Sequence, residues 1–158
     1  MVGIVVVQWL HVLGGIFWFG GSLYITLVLI PSLQSLPRER QQEVALRVGE
    51  LTTKVLRPTA YLVVALGFIR GTFLGRLHSV QDVLGSPYGV TWLTALVATI
   101  ALQAFIEGLM DPDVRRLNLA KTDVEYAATL GRVKAFAVIE LLGFLAIFTC
   151  MILMRFDL

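Results

Sequence analysis

Two histidines, His11 and His78, are the only imidazoles in the chain. Their distances from two prolines set where they stand. His11 precedes Pro31 by twenty residues, and His78 follows Pro58 by twenty. At about 1.5 Å of rise per helical residue, each imidazole falls about 30 Å from its proline. On antiparallel neighbouring helices both would reach one level. Two histidines at a common level can ligate a haem iron from both sides or hold one smaller metal. The competing reading is two unrelated interfacial histidines.

Glycines share the faces of both histidines. His11, Gly14, Gly15 and Trp18 share a helical face at i, i+3, i+4, i+7, and Gly67, Gly71, Gly75 and His78 share one at i, i+4, i+8, i+11. Such a face admits a flat porphyrin, or it admits another helix. Arg70 falls about 18 Å from Pro58 by helical rise, a depth at which a cation needs a partner. A haem propionate and Glu140 are the two candidates. Arg76, nearer the helix end, is expected to snorkel or hold a propionate. Glu140 is the better proton-relay candidate, and Glu107 is read as a solvated end residue. Cys150, Met151 and Met154 supply soft ligands for monovalent copper, or are apolar fillers. Trp9, Tyr88 and Trp92 suit an interfacial belt; Trp18, deeper and on the His11 face, suits a cofactor pocket.

The elements that must position these residues are membrane helices. The chain of 158 residues is 57% hydrophobic and 15% charged, against about 45–50% and about 25% in soluble domains. The apolar residues fall in four blocks, read as spans over about residues 3–30, 58–77, 88–110 and 135–154 of one domain. Each is long enough to cross about 30 Å of hydrocarbon, and backbone in lipid must be helical to satisfy its own hydrogen bonds. The fold expected is all-α, an integral membrane four-helix bundle. The polar stretches between spans one and two, and between three and four, carry apolar residues at helical spacing and read as extensions of the spans. The first span is too long for a signal-peptide core and lacks a basic leader, so it reads as retained.

Charge sets the orientation. Arg38, Arg40, Arg47, Lys54 and Arg57 lie between spans one and two, and Arg115, Arg116, Lys121, Arg132 and Lys134 between three and four. The other side has Arg76 and Arg155. By the positive-inside rule both long loops are cytoplasmic and both termini face outward, in the cell inner membrane. A net charge of +2 implies no nucleic-acid partner. With one cysteine, Cys150, no internal disulfide forms. Phosphate-cradling loops, zinc-type Cys/His spacing and Ser/His/Asp constellations are absent.

Trp9-Leu10-His11, followed by Phe17-Trp18-Phe19-Gly20-Gly21 and Pro31, resembles the first span of the membrane domain of copper-resistance protein D. Ser86-Pro87-Tyr88-Gly89 resembles that family's opening of a following span. The four-helix layout and the span-one histidine also resemble the membrane-bound, haem-containing, oxygen-independent protoporphyrinogen oxidases. The resemblance implies a b-type haem or a copper ion at His11.

The sequence thus points to a small membrane cytochrome. Haem b would be held near the outer face by His11, with His78 as second ligand and Arg70 or Arg76 on the propionates. Its work would be electron transfer with a quinone or a periplasmic redox partner, haem-based sensing, or chemistry on a small molecule. A homodimer is expected, because four helices bury little alone. Copper handling is the alternative, and a structural subunit of a larger membrane complex the second.

Overall fold

The computed structural model describes residues 2–158. The chain is 88% helical, and no strand occurs among the described residues. Helix α1 runs Val2–Gln34, α2 Arg38–Gly71, the short α3 Val80–Leu84, α4 Pro87–Leu119 and α5 Asp123–Arg155. Of these, α1, α4 and α5 are each 33 residues and are long and apolar enough to cross a membrane. Their outward apolar residues, such as Val5, Trp9, Ile16 and Leu142, are explained by a hydrocarbon solvent rather than by water.

Prolines shape two of the long helices. Ile25–Leu29 in α1 and Ile106–Met110 in α4 are π-helical turns, each ending two residues before a proline, Pro31 or Pro112. A proline ring clashes with the carbonyl four residues earlier and donates no hydrogen bond to it. Those carbonyls, of Leu27 and Gly108, lie inside the wider turns, which absorb the clash without ending the helix. Pro58 lies inside α2, which also continues through it. The expected polar extensions are thus real helix: α2 begins at Arg38, ahead of its apolar half.

Helices α1 and α2 run antiparallel along a close seam. A β-carbon on Gly14 would come 2.8 Å from Val63 Cγ2, one on Gly21 2.9 Å from Leu56, and one on Gly67 2.8 Å from His11 Cε1. The small-residue face therefore does what lipid-embedded helices use it for: it lets a neighbour approach. Trp18 stands edge-on to Phe144 of α5, ring centroids 4.9 Å apart. Around that pair Ala60, Val63, Leu102 and Ile147 are buried and close the core.

The two ends of the bundle are tied differently. At the end holding both termini, Arg76 pairs with Asp157 at 2.6 Å, and Thr91 Oγ1 donates to the Leu158 carbonyl. At the opposite end Arg38 clasps the start of α5. It pairs with Asp123, donates to the carbonyls of Ala120 and Thr122, and lies 5.2 Å over the Tyr126 ring. Asp113, buried, takes Arg116 at 3.0 Å and Arg132 at 2.8 Å.

Span two differs from its expected extent. The helix stops at Gly71, and residues 72–77 form turns instead of continuing to Leu77. Gly67, Gly71 and Gly75 lie within nine residues and give little helix propensity, and Leu77 N–H folds back onto the Gly71 carbonyl.

Candidate functional site around His11

On α1, His11 turns inward to α2. Its Nδ1 lies 3.0 Å from the Val63 carbonyl oxygen, and its ring fills the notch left by Gly67. Arg70, one turn beyond Gly67, donates from Nε to Gln8 Oε1 at 3.0 Å. Gln8 is one turn before His11. Three side chains, one carbonyl and one glycine notch thus share two turns of an antiparallel pair: Gln8 and His11 from α1; Val63, Gly67 and Arg70 from α2. The Nδ1–H donated to Val63 settles the tautomer and leaves Nε2 as the lone-pair nitrogen, the arrangement metal-bound histidines adopt.

Of the expected site residues, the structure brings His11, Gly67 and Arg70 together. His78 lies elsewhere. It is exposed, in the segment before α3, where its backbone N–H donates to Asp82. Its side of that segment lines a shallow groove with Phe73, Val83 and Leu93, of which His11 is not part. Because α2 ends at Gly71, Gly75 and His78 do not continue the Gly67 face. Gly75 serves the reversal of the chain: a β-carbon there would strike the carbonyl oxygens of Arg70 and Gly71.

The other glycines divide by neighbour. Gly14 receives Val63, whereas Gly15 has open space around it. Gly71 receives the Trp92 indole, whose Nε1–H points to the Gly67 carbonyl at 3.5 Å. Trp92 is therefore a packing residue at 9% exposure, not a belt residue; Trp9, at 63%, is free to be one. Trp18 belongs to the core against Phe144 rather than to the His11 pocket. Arg76 sits 5.6 Å over the Tyr88 ring as well as on Asp157.

Two carboxylate expectations change. Arg70 does not pair with Glu140: its partner is Gln8, while Glu140 is buried one turn from Phe144. Glu107 is not a solvated end residue. It accepts from Tyr61 at 2.6 Å, from Gln103 at 2.7 Å and from Arg57 at 3.2 Å. Met151 packs against the Trp18–Phe144 core, and Cys150 is half-buried, as is Met154. No group of three or more His, Cys, Asp or Glu side chains is placed to hold a metal ion among the described residues.

The sequence held a signal for Gln8, a polar residue three before His11 on the same face. It held none for the Val63 carbonyl, since any residue supplies one. Outside the membrane helices, Asp82 closes a capping box with Ser79. The Ser79 hydroxyl and the backbone N–H groups of His78 and Ser79 hold its carboxyl below the ordinary aspartate range.

No protein-family model matches the chain, and comparison with curated proteins and with solved structures returns no match.

Proposed function

We propose that the chain is a four-span inner-membrane protein, both termini outward, that binds one b-type haem through His11 and serves electron transfer near the outer face. The observation that carries this reading is the bond between His11 Nδ1 and the Val63 carbonyl. It fixes the ring across a helix seam and leaves Nε2 as the nitrogen with a free lone pair, which supports a ligand role. A haem bound there would supply a one-electron couple at iron. Arg70, one turn farther toward the termini, is the cation to neutralise a propionate, and Gln8 orients it. His11 is the iron ligand this arrangement supports; the placement of His78 gives it no part in the same face.

The fourth span is supported by packing. Residues 58–69 of α2 carry no charge, and this stretch lies along α1, its Val63 on Gly14 and its Gly67 against the His11 ring. Whatever medium surrounds α1 there also surrounds α2. The outward orientation rests on the ten basic residues of the two long polar segments.

The test is an absorption spectrum of the full-length protein purified in detergent. A sharp Soret band in the wild type, lost in His11→Ala, is the expected result. A colourless protein carrying stoichiometric copper would move the reading to copper handling. Full haem occupancy in His11→Ala would end it.

A further inference from the structure

A second place in the molecule is built for a ligand, at the other end of the bundle from His11. A cavity of about 590 Å³ opens among α1, α2, α4 and α5, within the roughly 300–1,000 Å³ range of small-molecule sites. Its deep end is set by the helix register. Trp18 meets Phe144, so Ser22 and Glu140, each one turn onward, share a level. Leu102 meets Gly143 and Phe105 meets Phe136, so Gln103 stands at that level too. All three line the cavity, with Trp18, Ile106 and Val133 among its apolar walls.

These polar groups lack what they need. Gln103 is 6% exposed and Glu140 5%. The Gln103 amide is oriented by its Nε2, which donates to Glu107, and this leaves Oε1 buried with no partner. Among the described residues no lysine or arginine forms an ion pair with Glu140; Arg57, which also lines the cavity, is held by Glu107 and Asp111. A buried carboxyl without a cation and a buried amide oxygen without a donor are costly. Both accept hydrogen bonds, so what completes them is a donor, and a cationic donor balances Glu140 as well.

We infer that this cavity binds an amphipathic organic ammonium ion, its N–H groups directed to Glu140, Gln103 Oε1 and Ser22 and its apolar body against Trp18, Ile106 and Val133. An ammonium group offers up to three donors, matching the three oxygens at the deep end. The indole of Trp18 adds an aromatic wall of the type that favours cations. The site shares no residue with the His11 cluster and does not depend on a metal there.

Calorimetric titration of the full-length protein in lipid nanodiscs tests the assignment. The probes are naphthylethylammonium and its neutral counterpart naphthylethanol. The ammonium should bind about thirtyfold or more tighter, the scale set by a buried charged partner. Glu140→Gln should bring the two affinities together, and Gln103→Leu should weaken the ammonium alone. His11→Ala should leave the preference intact, which separates this site from the haem reading. Equal affinity of the two probes for the wild type would overturn the assignment, whatever the variants do. So would a preference that survives in Glu140→Gln.

Discussion

His11 Nδ1 stands 3.0 Å from the carbonyl oxygen of Val63, and the same imidazole occupies the space that any side chain at position 67 would need. The ring is therefore held by a hydrogen bond it donates to one residue of α2 and by the missing β-carbon of another, four residues on.

This makes Gly67→Ala a sharp probe. The added β-carbon would lie 2.8 Å from His11 Cε1, so the ring or the helix must shift. Overpacking of this kind costs about 1–3 kcal/mol. The variant is expected to fold with a lowered midpoint of thermal unfolding and to retain much less haem than wild type. Both are read on one sample, by circular dichroism and by the Soret band. Unchanged haem retention would show that the orientation of His11 is irrelevant to the cofactor.

His78→Ala is expected to leave the haem spectrum as it is, because His78 lies in the exposed segment before α3 and not on the Gly67 face. A change from six-coordinate to five-coordinate absorption would return His78 to the iron.

Arg38 joins α2 to α5 through one carboxylate, two carbonyls and an aromatic ring. Arg38→Ala should lower stability by about 1–3 kcal/mol, as expected for charge-assisted bonds that are partly shielded from water. Asp123→Asn alone should cost less, since Asp123 is almost fully exposed and the two carbonyl bonds remain. Denaturation of both variants in mixed micelles checks the order. Equal losses would reduce the clasp to its ion pair.

Acid should release the segment before α3. The Asp82 carboxyl is held below its ordinary value of 3.8, so its charged form stabilises the folded capping box. That contribution is complete above the ordinary value and disappears as pH falls through the lowered one. Hydrogen exchange at the Ser79 and Asp82 amides should stay slow, relative to the intrinsic rate, down to mildly acidic pH and then accelerate. Asp82→Asn should weaken the protection already at neutral pH. Protection independent of pH in the wild type would assign it to backbone geometry alone.

The site was legible in the sequence wherever a helix runs unbroken. Regular rise along α1 and α2 carries His11, Gly67 and Arg70 to adjacent turns, but counting from Pro31 and Pro58 puts His11 at about 30 Å and Arg70 at about 18 Å. The two prolines are not level, since Gly14 meets Val63 and Gly21 meets Leu56. The counting fails past Gly71, where three closely spaced glycines favour a reversal, so Gly75 and His78 leave the face on which periodicity put them. Trp92 shows a different limit. Gly71 announces a notch, but nothing local says which side chain enters it, and an interfacial tryptophan and a notch-filling one have the same sequence signature. Glu107 likewise looked solvent-facing because its partners, Tyr61 and Arg57, are about fifty residues away in the chain. Pairings between helices depend on their rotation about their own axes, which periodicity alone constrains loosely.

The π-helical turns at Ile25–Leu29 and Ile106–Met110 have a consequence for how the molecule tolerates change. A π turn holds one residue more than an α turn, which rotates everything beyond it by about 100°. Each of the two helices is therefore indexed as two separate screws, one on either side of its π turn. Removing a single residue from either turn would restore uninterrupted winding and swing the far half onto the wrong neighbours. A slip confined to one half can be taken up at the joint, leaving the other half in register.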